Sequence, residues 1–134
     1  MSFTDFLENE LLDHVFAAAA FVAPVTTFIG LSTTTPADDG TNITEPPGGA
    51  AYARVSKTNN LTNWPAASGG AKSNGTAVTF TTATGDWGTV VAIGIFDAVT
   101  AGNLLAWADL TTNKAVNDGD TAEFAANDID ITLD

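Results

Sequence analysis

Few residues of this chain could carry out nucleophilic or acid–base chemistry. His14 is the only histidine, and there is no cysteine. A serine hydrolase needs a histidine beside its nucleophile, and no serine here stands in a G-x-S-x-G pattern. Zinc sites need clustered His and Cys, and phosphate-binding loops need G-x-x-x-x-G-K-[ST]; the sequence has neither. We therefore predict no catalytic residues, no cofactor-binding residues and no metal ligands, and a protein that is not an enzyme.

The acidic residues are the remaining candidates for chemistry. Short acidic stretches at residues 38–40, 118–120 and 128–130 offer the oxygen ligands that calcium prefers, although none has EF-hand spacing. Asp and Gly also recur at turns for backbone reasons alone. With 16 acidic residues, a carboxylate pair suited to glycoside hydrolysis would arise in almost any fold. A structural calcium ion stays open as an alternative, but the prediction is that no cofactor is required.

Three tryptophans could bind a ligand by stacking. Trp64, Trp87 and Trp107 are of the type that forms sugar-binding platforms. In a small β protein, tryptophan more often belongs to the core or to a half-buried edge. We predict core positions.

Charge excludes two classes of partner. Four basic residues face 16 acidic ones, for a formal net charge of −12. Nucleic acids and anionic membranes both require clustered Lys and Arg, and the four cations here are scattered. The apolar run at residues 15–25 is too short to cross a bilayer, and the acidic N-terminal region is unlike a signal peptide. We predict no nucleic acid, no membrane, and a protein assembled in the cytoplasm.

An N-terminal helix is predicted for residues 4–20. Thr4 or Ser2 would cap it, and Glu10 would pair with His14. One apolar stripe is formed by Phe3, Leu7, Leu11 and Val15 and is widened by Phe6 and His14, while Leu12 and Phe16 lie on roughly the opposite side. A helix with two apolar sides is covered either within its own chain or partly by a neighbouring subunit.

The rest of the chain predicts short strands separated by turns. Residues 25–31 are the first strand, and residues 32–51 are a long polar loop of a length that is usually functional or ordered by a partner. Further strands are predicted at residues 51–57, 71–81, 89–97, 103–110, 122–124 and 129–133. The fold class is mainly β: an antiparallel β-sandwich or jelly-roll-like domain (23–134) preceded by an N-terminal helical arm (1–22), compact as a whole.

Four motifs carry a family resemblance. They are L-S-T-T-T-P at residues 31–36, the Gly-Gly and Tyr-x-Arg-Val residues at 48–55, T-F-T-T-A-T-G-D-W-G-T-V at 79–90, and a closing I-T-L at 131–133. The chain resembles, over nearly its whole length, a family of short virion structural proteins of tailed bacteriophages and prophages that are often described as tail-fibre-like. An extra residue pair within residues 48–52 departs from the family pattern and lengthens the loop before the strand.

The resemblance implies a non-enzymatic virion protein with two candidate roles, of which the first is favoured and the second is the alternative. The first is a capsid decoration or cement protein that binds the major capsid protein or other virion proteins, by analogy as a homo-oligomer, with a trimer favoured. The second is a tail-fibre or tail-associated adaptor or receptor-binding module.

Arg54 would pair with an Asp of the long loop, within the chain or from another subunit. The predicted interface residues are Phe3, Phe6, Leu7, Leu11, Leu12, Phe16, Asp38, Asp39 and Arg54.

Overall fold

An antiparallel five-stranded sheet organises the protein, whose computed structural model describes residues 1–133. The strand order is β1-β7-β6-β2-β3, and two two-stranded ribbons, β4–β9 and β5–β8, complete the fold. One helix and one 3₁₀ turn (Gly48–Ala50) join these strands. The elements are β1 (Ser2–Phe3), α1 (Asp5–Phe16), β2 (Thr26–Ser32), β3 (Val55–Thr58), β4 (Ala71–Ser73), β5 (Val78–Thr79), β6 (Gly88–Phe96), β7 (Leu104–Val116), β8 (Glu123–Phe124) and β9 (Asp130–Thr132).

The core lies between one face of this sheet and the ribbons. Strands β2 and β6 pair residue for residue from Phe28↔Phe96 to Ser32↔Ala92, which places their apolar side chains in register. Strand β6 is buried along most of its length, as a central strand covered on both faces requires. The prediction of a mainly β, antiparallel, sandwich-like fold preceded by one helix is confirmed. The core side chains include Ile29, Leu31, Ile93 and Ile95 from the sheet and Val78, Phe80, Trp87 and Ile129 from the covering layer.

The opposite face of the sheet contains a narrow slot at a pair of glycines. Gly30 and Gly94 are direct partners across β2 and β6. A Cβ on Gly30 would lie 2.8 Å from the Phe96 ring, and a Cβ on Gly94 would lie 2.7 Å from a methyl of Leu104. Only glycine leaves room for these side chains to lie flat on the sheet.

Two tryptophans confirm the core prediction. Trp64 and Trp87 are 5% and 2% exposed, so neither can stack on a sugar. Each indole N–H is satisfied inside the protein: Trp64 donates to the Thr27 hydroxyl at 3.3 Å and Trp87 donates to the Ala50 carbonyl at 2.8 Å. Trp107 is half-buried on β7.

Several predicted boundaries are wrong for identifiable reasons. The strand predicted at 71–81 is interrupted, because the chain turns between β4 and β5 around the buried side chain of Asn74. Strand β7 continues to Val116, six residues past its predicted end, after a register shift opposite Val90 and Ala92. Strand β1 has two residues, too few for a period-2 pattern to be seen. Residue 134 of the predicted domain lies outside the described residues.

Asn74 holds the two ribbons together. Its side chain is 1% exposed and makes three hydrogen bonds. The amide nitrogen donates to the carbonyls of Thr76 (3.0 Å) and Ala125 (2.8 Å), and the amide oxygen accepts from the Ile129 N–H at 2.8 Å. Asn74 therefore satisfies buried backbone groups from the segment before β5 and from the β8–β9 turn.

The first prediction concerns this amide. Replacing Asn74 with Ala leaves the buried Ile129 N–H and the Thr76 carbonyl without partners and removes one of the two hydrogen bonds to the Ala125 carbonyl. The free energy of unfolding should therefore fall by about 2 kcal/mol or more. Urea denaturation followed by tryptophan fluorescence measures the loss. The matched control is Asn113→Ala, at an exposed asparagine of β7, which should change stability little. Equal stability of the two variants would contradict the role given to Asn74.

Candidate functional site

The first four residues are part of the sheet. Ser2 and Phe3 form β1 and pair with Trp107 and Ala106 of β7. The Met1 amino group donates to a backbone carbonyl of the C-terminal strand at 2.9 Å. Thr4 is fully buried. A truncation from residue 1 would therefore remove an edge strand as well as the helix, and the division into arm 1–22 and domain 23–134 remains a prediction.

Helix α1 begins at Asp5, without the predicted side-chain cap. The Thr4 hydroxyl donates instead to the Leu104 carbonyl at 2.5 Å. Beyond it, the Asp5 N–H donates to the Asp38 carbonyl at 2.8 Å, and the Asp38 carboxylate accepts from the Trp107 indole at 3.2 Å. Asp38, a predicted interface residue, thus attaches the helix start to the long loop and to the sheet.

The apolar residues of α1 divide along its length. Phe6 and Leu7 pack against the core, and Leu11 is half-buried. Leu12 and Phe16 are 57% and 82% exposed. Val15, which the sequence places in the same stripe as Leu7, is also 64% exposed. The sheet therefore covers only the first half of the helix, and the second half leaves its apolar side chains in solvent.

The exposed apolar surface continues past the helix. The helix ends at Phe16, and Ala18 adopts the left-handed conformation (φ +56°), a position where glycine is usual. Residues 17–20 are exposed alanines, and Val22 and Val25 are 83% and 81% exposed. We name residues 12–25 the apolar segment.

His14 has a different partner from the predicted Glu10. Its Nδ1 accepts the Phe21 N–H at 3.1 Å, which bends the apolar segment back towards the helix. Phe21 itself is half-buried, whereas its neighbour Val22 is not. None of the helices in residues 1–133 is long and apolar enough to cross a membrane.

The long loop is ordered by its own chain. The Ser32 hydroxyl accepts the Thr44 N–H at 3.0 Å, and the Thr33 N–H donates to the Thr44 carbonyl at 2.9 Å, which closes the loop at its base. At its tip, the Asp39 carboxylate accepts both the N–H and the hydroxyl of Thr41, and these hydrogen bonds lower the pKa of Asp39. No partner is needed to order this loop, so that part of the expectation is wrong.

Arg54 is buried in an ion pair with the loop. Its side chain is 6% exposed, and its Nε and Nη2 donate to the two oxygens of Glu45 at 2.9 and 2.7 Å. Its Nη1 donates to two carbonyls of the β6–β7 turn, each at 2.8 Å. The guanidinium lies 3.4 Å above the Phe96 ring. Arg54 therefore follows the intrachain alternative, and its acidic partner is Glu45, not an Asp.

Tyr52 extends the same network to the edge of β2. Its hydroxyl donates to Glu45 Oε1 at 2.7 Å and accepts the Leu31 N–H at 2.8 Å. Leu31 lies beyond Ile29, the last residue of β2 that pairs with β3. Burial raises the pKa of the phenol, so it stays protonated and keeps its donor. Tyr52 and Arg54 both lie in the strand predicted at residues 51–57, but the sequence had no signal that Glu45 joins them.

Several of the acidic residues serve turns. Asp97, Asp120 and Asp128 each accept a backbone N–H within three to six residues along the chain, at 2.7 to 2.9 Å. Within residues 1–133, no three His, Cys, Asp or Glu side chains are grouped so as to hold a metal ion. The predicted residues therefore do not form one site: Phe6, Leu7 and Asp38 hold the helix base, Asp39 holds a turn, Arg54 is buried, and Leu12 and Phe16 lie on the apolar segment.

The second prediction concerns the ion pair. Glu45→Gln keeps the size of the side chain but leaves the buried Arg54 charge without its counter-ion, and should lower the free energy of unfolding by about 2 kcal/mol or more. Chemical denaturation measures this loss. Glu8→Gln removes an exposed glutamate of α1 and should cost only about 0.5 kcal/mol or less. If Glu45→Gln left the free energy of unfolding unchanged, hydrogen bonds alone would be enough to hold the loop.

A family model described as Podophage GP4 fiber I protein gp80 matches residues 2–132, from β1 through β9. No curated protein matches the chain. The resemblance predicted from the sequence motifs is confirmed. The chain belongs to the Podophage GP4 fiber I protein gp80 family and is a tail-fibre-like structural protein of the phage virion.

Proposed function

We propose that this chain is a non-enzymatic fibre component that is fastened to the phage particle through its apolar segment. The observation that carries the proposal is the contrast between the two parts of the molecule. The β domain is closed, with every buried side-chain polar atom of the described residues hydrogen-bonded. The apolar segment exposes Phe16 and Val22 at more than four-fifths of their surface. Such surfaces mark contact sites.

A structural role agrees with the way in which polar side chains are used. Hydrolysis by carboxylates requires a pair held free for substrate. Glu45 is bound to the buried Arg54, and several Asp residues close turns. The only histidine accepts a backbone N–H on the helix surface. These groups support a structural role for the domain and offer no arrangement of acid, base and nucleophile.

Capsid decoration is the second candidate. A small β domain with an exposed apolar segment near one terminus also suits a cement protein that binds the major capsid protein, with a trimer as the expected assembly. The family description, a podophage fibre protein, favours the fibre role. Both roles use the same surface, so the copy number and its location on the particle distinguish them.

The third prediction is this copy number. In purified particles, we expect the amount of this chain to match that of the tail and fibre proteins and to be far below that of the major capsid protein. Quantitative gel densitometry against the major capsid band measures the ratio, and immunogold labelling locates the chain. A ratio near that of the capsid subunits, with label over the head, would favour decoration. Absence from purified particles would contradict both roles.

A further inference from the structure

We propose that the apolar segment docks into an apolar groove rimmed by Lys and Arg on another virion protein, and not onto a second copy of this chain. The proposal rests on the proposed function in one respect: the partner belongs to the same particle. It adds the chemistry of the partner surface, which neither the family description nor the fold supplies.

The shape of the segment favours a groove. Leu12, Val15 and Phe16 are spaced i, i+3 and i+4 on α1, so their side chains form one outward stripe. This spacing is typical of helices that lay an apolar face into a groove. Val22 and Val25 extend the exposed apolar surface beyond the helix end. The partner protein must therefore offer a long apolar groove, not a flat polar surface.

The charge around the segment indicates which partner fits. Asp5, Glu8 and Asp13 are exposed on the same helix, and the chain carries a formal net charge of −12. A partner that covers the apolar stripe must approach these carboxylates closely. Like charges brought together in an interface are strongly unfavourable, whereas Lys and Arg on the rim of the groove would complement them.

A second copy is poorly suited to supply that rim. Arg54 is paired inside the fold, and Lys57 and Lys72 each donate to two oxygens of their own chain. Among the described residues, Lys114 is the one basic side chain without such a bond, and it lies on the exposed part of β7. Two copies facing each other would bring together several carboxylates for each cation. The charges therefore favour a different, basic partner.

The base of the helix is prepared for such docking. Phe6 and Leu7 are held against the core, and the Asp5 N–H is bound by Asp38 of the ordered loop. The stripe is therefore presented in a fixed direction by the domain. A preorganised surface loses less conformational freedom when it binds, which favours affinity.

The fourth prediction tests the docking with particles from a phage that lacks this gene. The purified chain should co-sediment with these particles in a saturable manner, and more weakly as the NaCl concentration rises. The double variant Leu12→Ser and Phe16→Ser should bind about tenfold more weakly or worse, because anchor side chains dominate such interfaces. Binding by this variant equal to that of the unaltered chain would overturn the proposal.

The matched control uses two apolar residues that are equally exposed elsewhere. Leu61 and Val99 are 73% and 57% exposed, outside the apolar segment. The double variant Leu61→Ser and Val99→Ser should bind as the unaltered chain does. All four positions are exposed, so both variants should unfold at similar urea concentrations. If the control variant loses binding equally, the contact lies elsewhere and the proposal fails.

A charge-reversal variant tests the role of the exposed carboxylates. Glu8→Lys with Asp13→Lys should weaken binding and flatten its dependence on salt, because two attractive contacts become repulsive. Tighter binding by this variant would mean that the partner rim is acidic, which overturns the proposal. A photo-crosslinking amino acid at position 15 then identifies the contact: cross-links to an apolar surface beside Lys or Arg of another virion protein support it.

Self-association through the apolar segment would mean that the segment binds a second copy of this chain. Sedimentation equilibrium of the unaltered chain should show a monomer at rising protein concentration. Oligomers that the Leu12→Ser and Phe16→Ser variant abolishes, or cross-links from position 15 to a second copy, would overturn the proposal in favour of the expected homo-oligomer. The proposed function fails separately, if densitometry finds no copies of the chain in the particle.

Discussion

The ion pair between Arg54 and Glu45 is the interaction on which the rest of the structure depends. A buried guanidinium is costly unless its donors all find acceptors, and here Nε and both terminal nitrogens do so. Its hydrogen-bond partners come from two other parts of the chain: Glu45 of the long loop and two carbonyls of the β6–β7 turn. The guanidinium also needs a flat surface, which Phe96 supplies over the paired glycines of β2 and β6. This ion pair thus links the long loop to the Phe96 ring, which lies over the paired glycines of two central strands.

Further consequences follow along the chain from that pair. Glu45 fixes one end of the loop, and hydrogen bonds across its base and within its tip hold the remainder. The loop then presents the Asp38 carbonyl to the first N–H of the helix. The helix start is therefore positioned by a residue more than thirty positions away in sequence. The exposed apolar segment begins only beyond this fixed base, so its direction is set by the domain.

The sequence predicted the class of fold and most of the strands, because the long strands have apolar patterns and Gly or Asx turns at their ends. The helix was predicted too long, since residues 17–20 are alanines with high helical propensity, yet the structure ends it at Phe16 and offers no surface for a further turn to cover. Phe6 and Phe16 are both predicted as interface residues, and only the position of the sheet distinguishes the half-buried one from the exposed one. The Arg54 partner could not be chosen among 16 acidic residues by pattern alone.

The burial of Asn74 also affects the chemical lifetime of the chain. Asn74 is followed by Gly75, and an Asn-Gly peptide deamidates readily when the glycine nitrogen is free to attack the side-chain amide. In this fold that nitrogen donates to the Asn63 carbonyl at 2.7 Å, and the Asn74 amide is held by three hydrogen bonds. A Cβ at Gly75 would clash with the Thr62 carbonyl oxygen, so the site is also closely packed. Folding therefore protects the bond, and peptide mapping of aged particles would detect deamidation here only in chains that had opened between the ribbons.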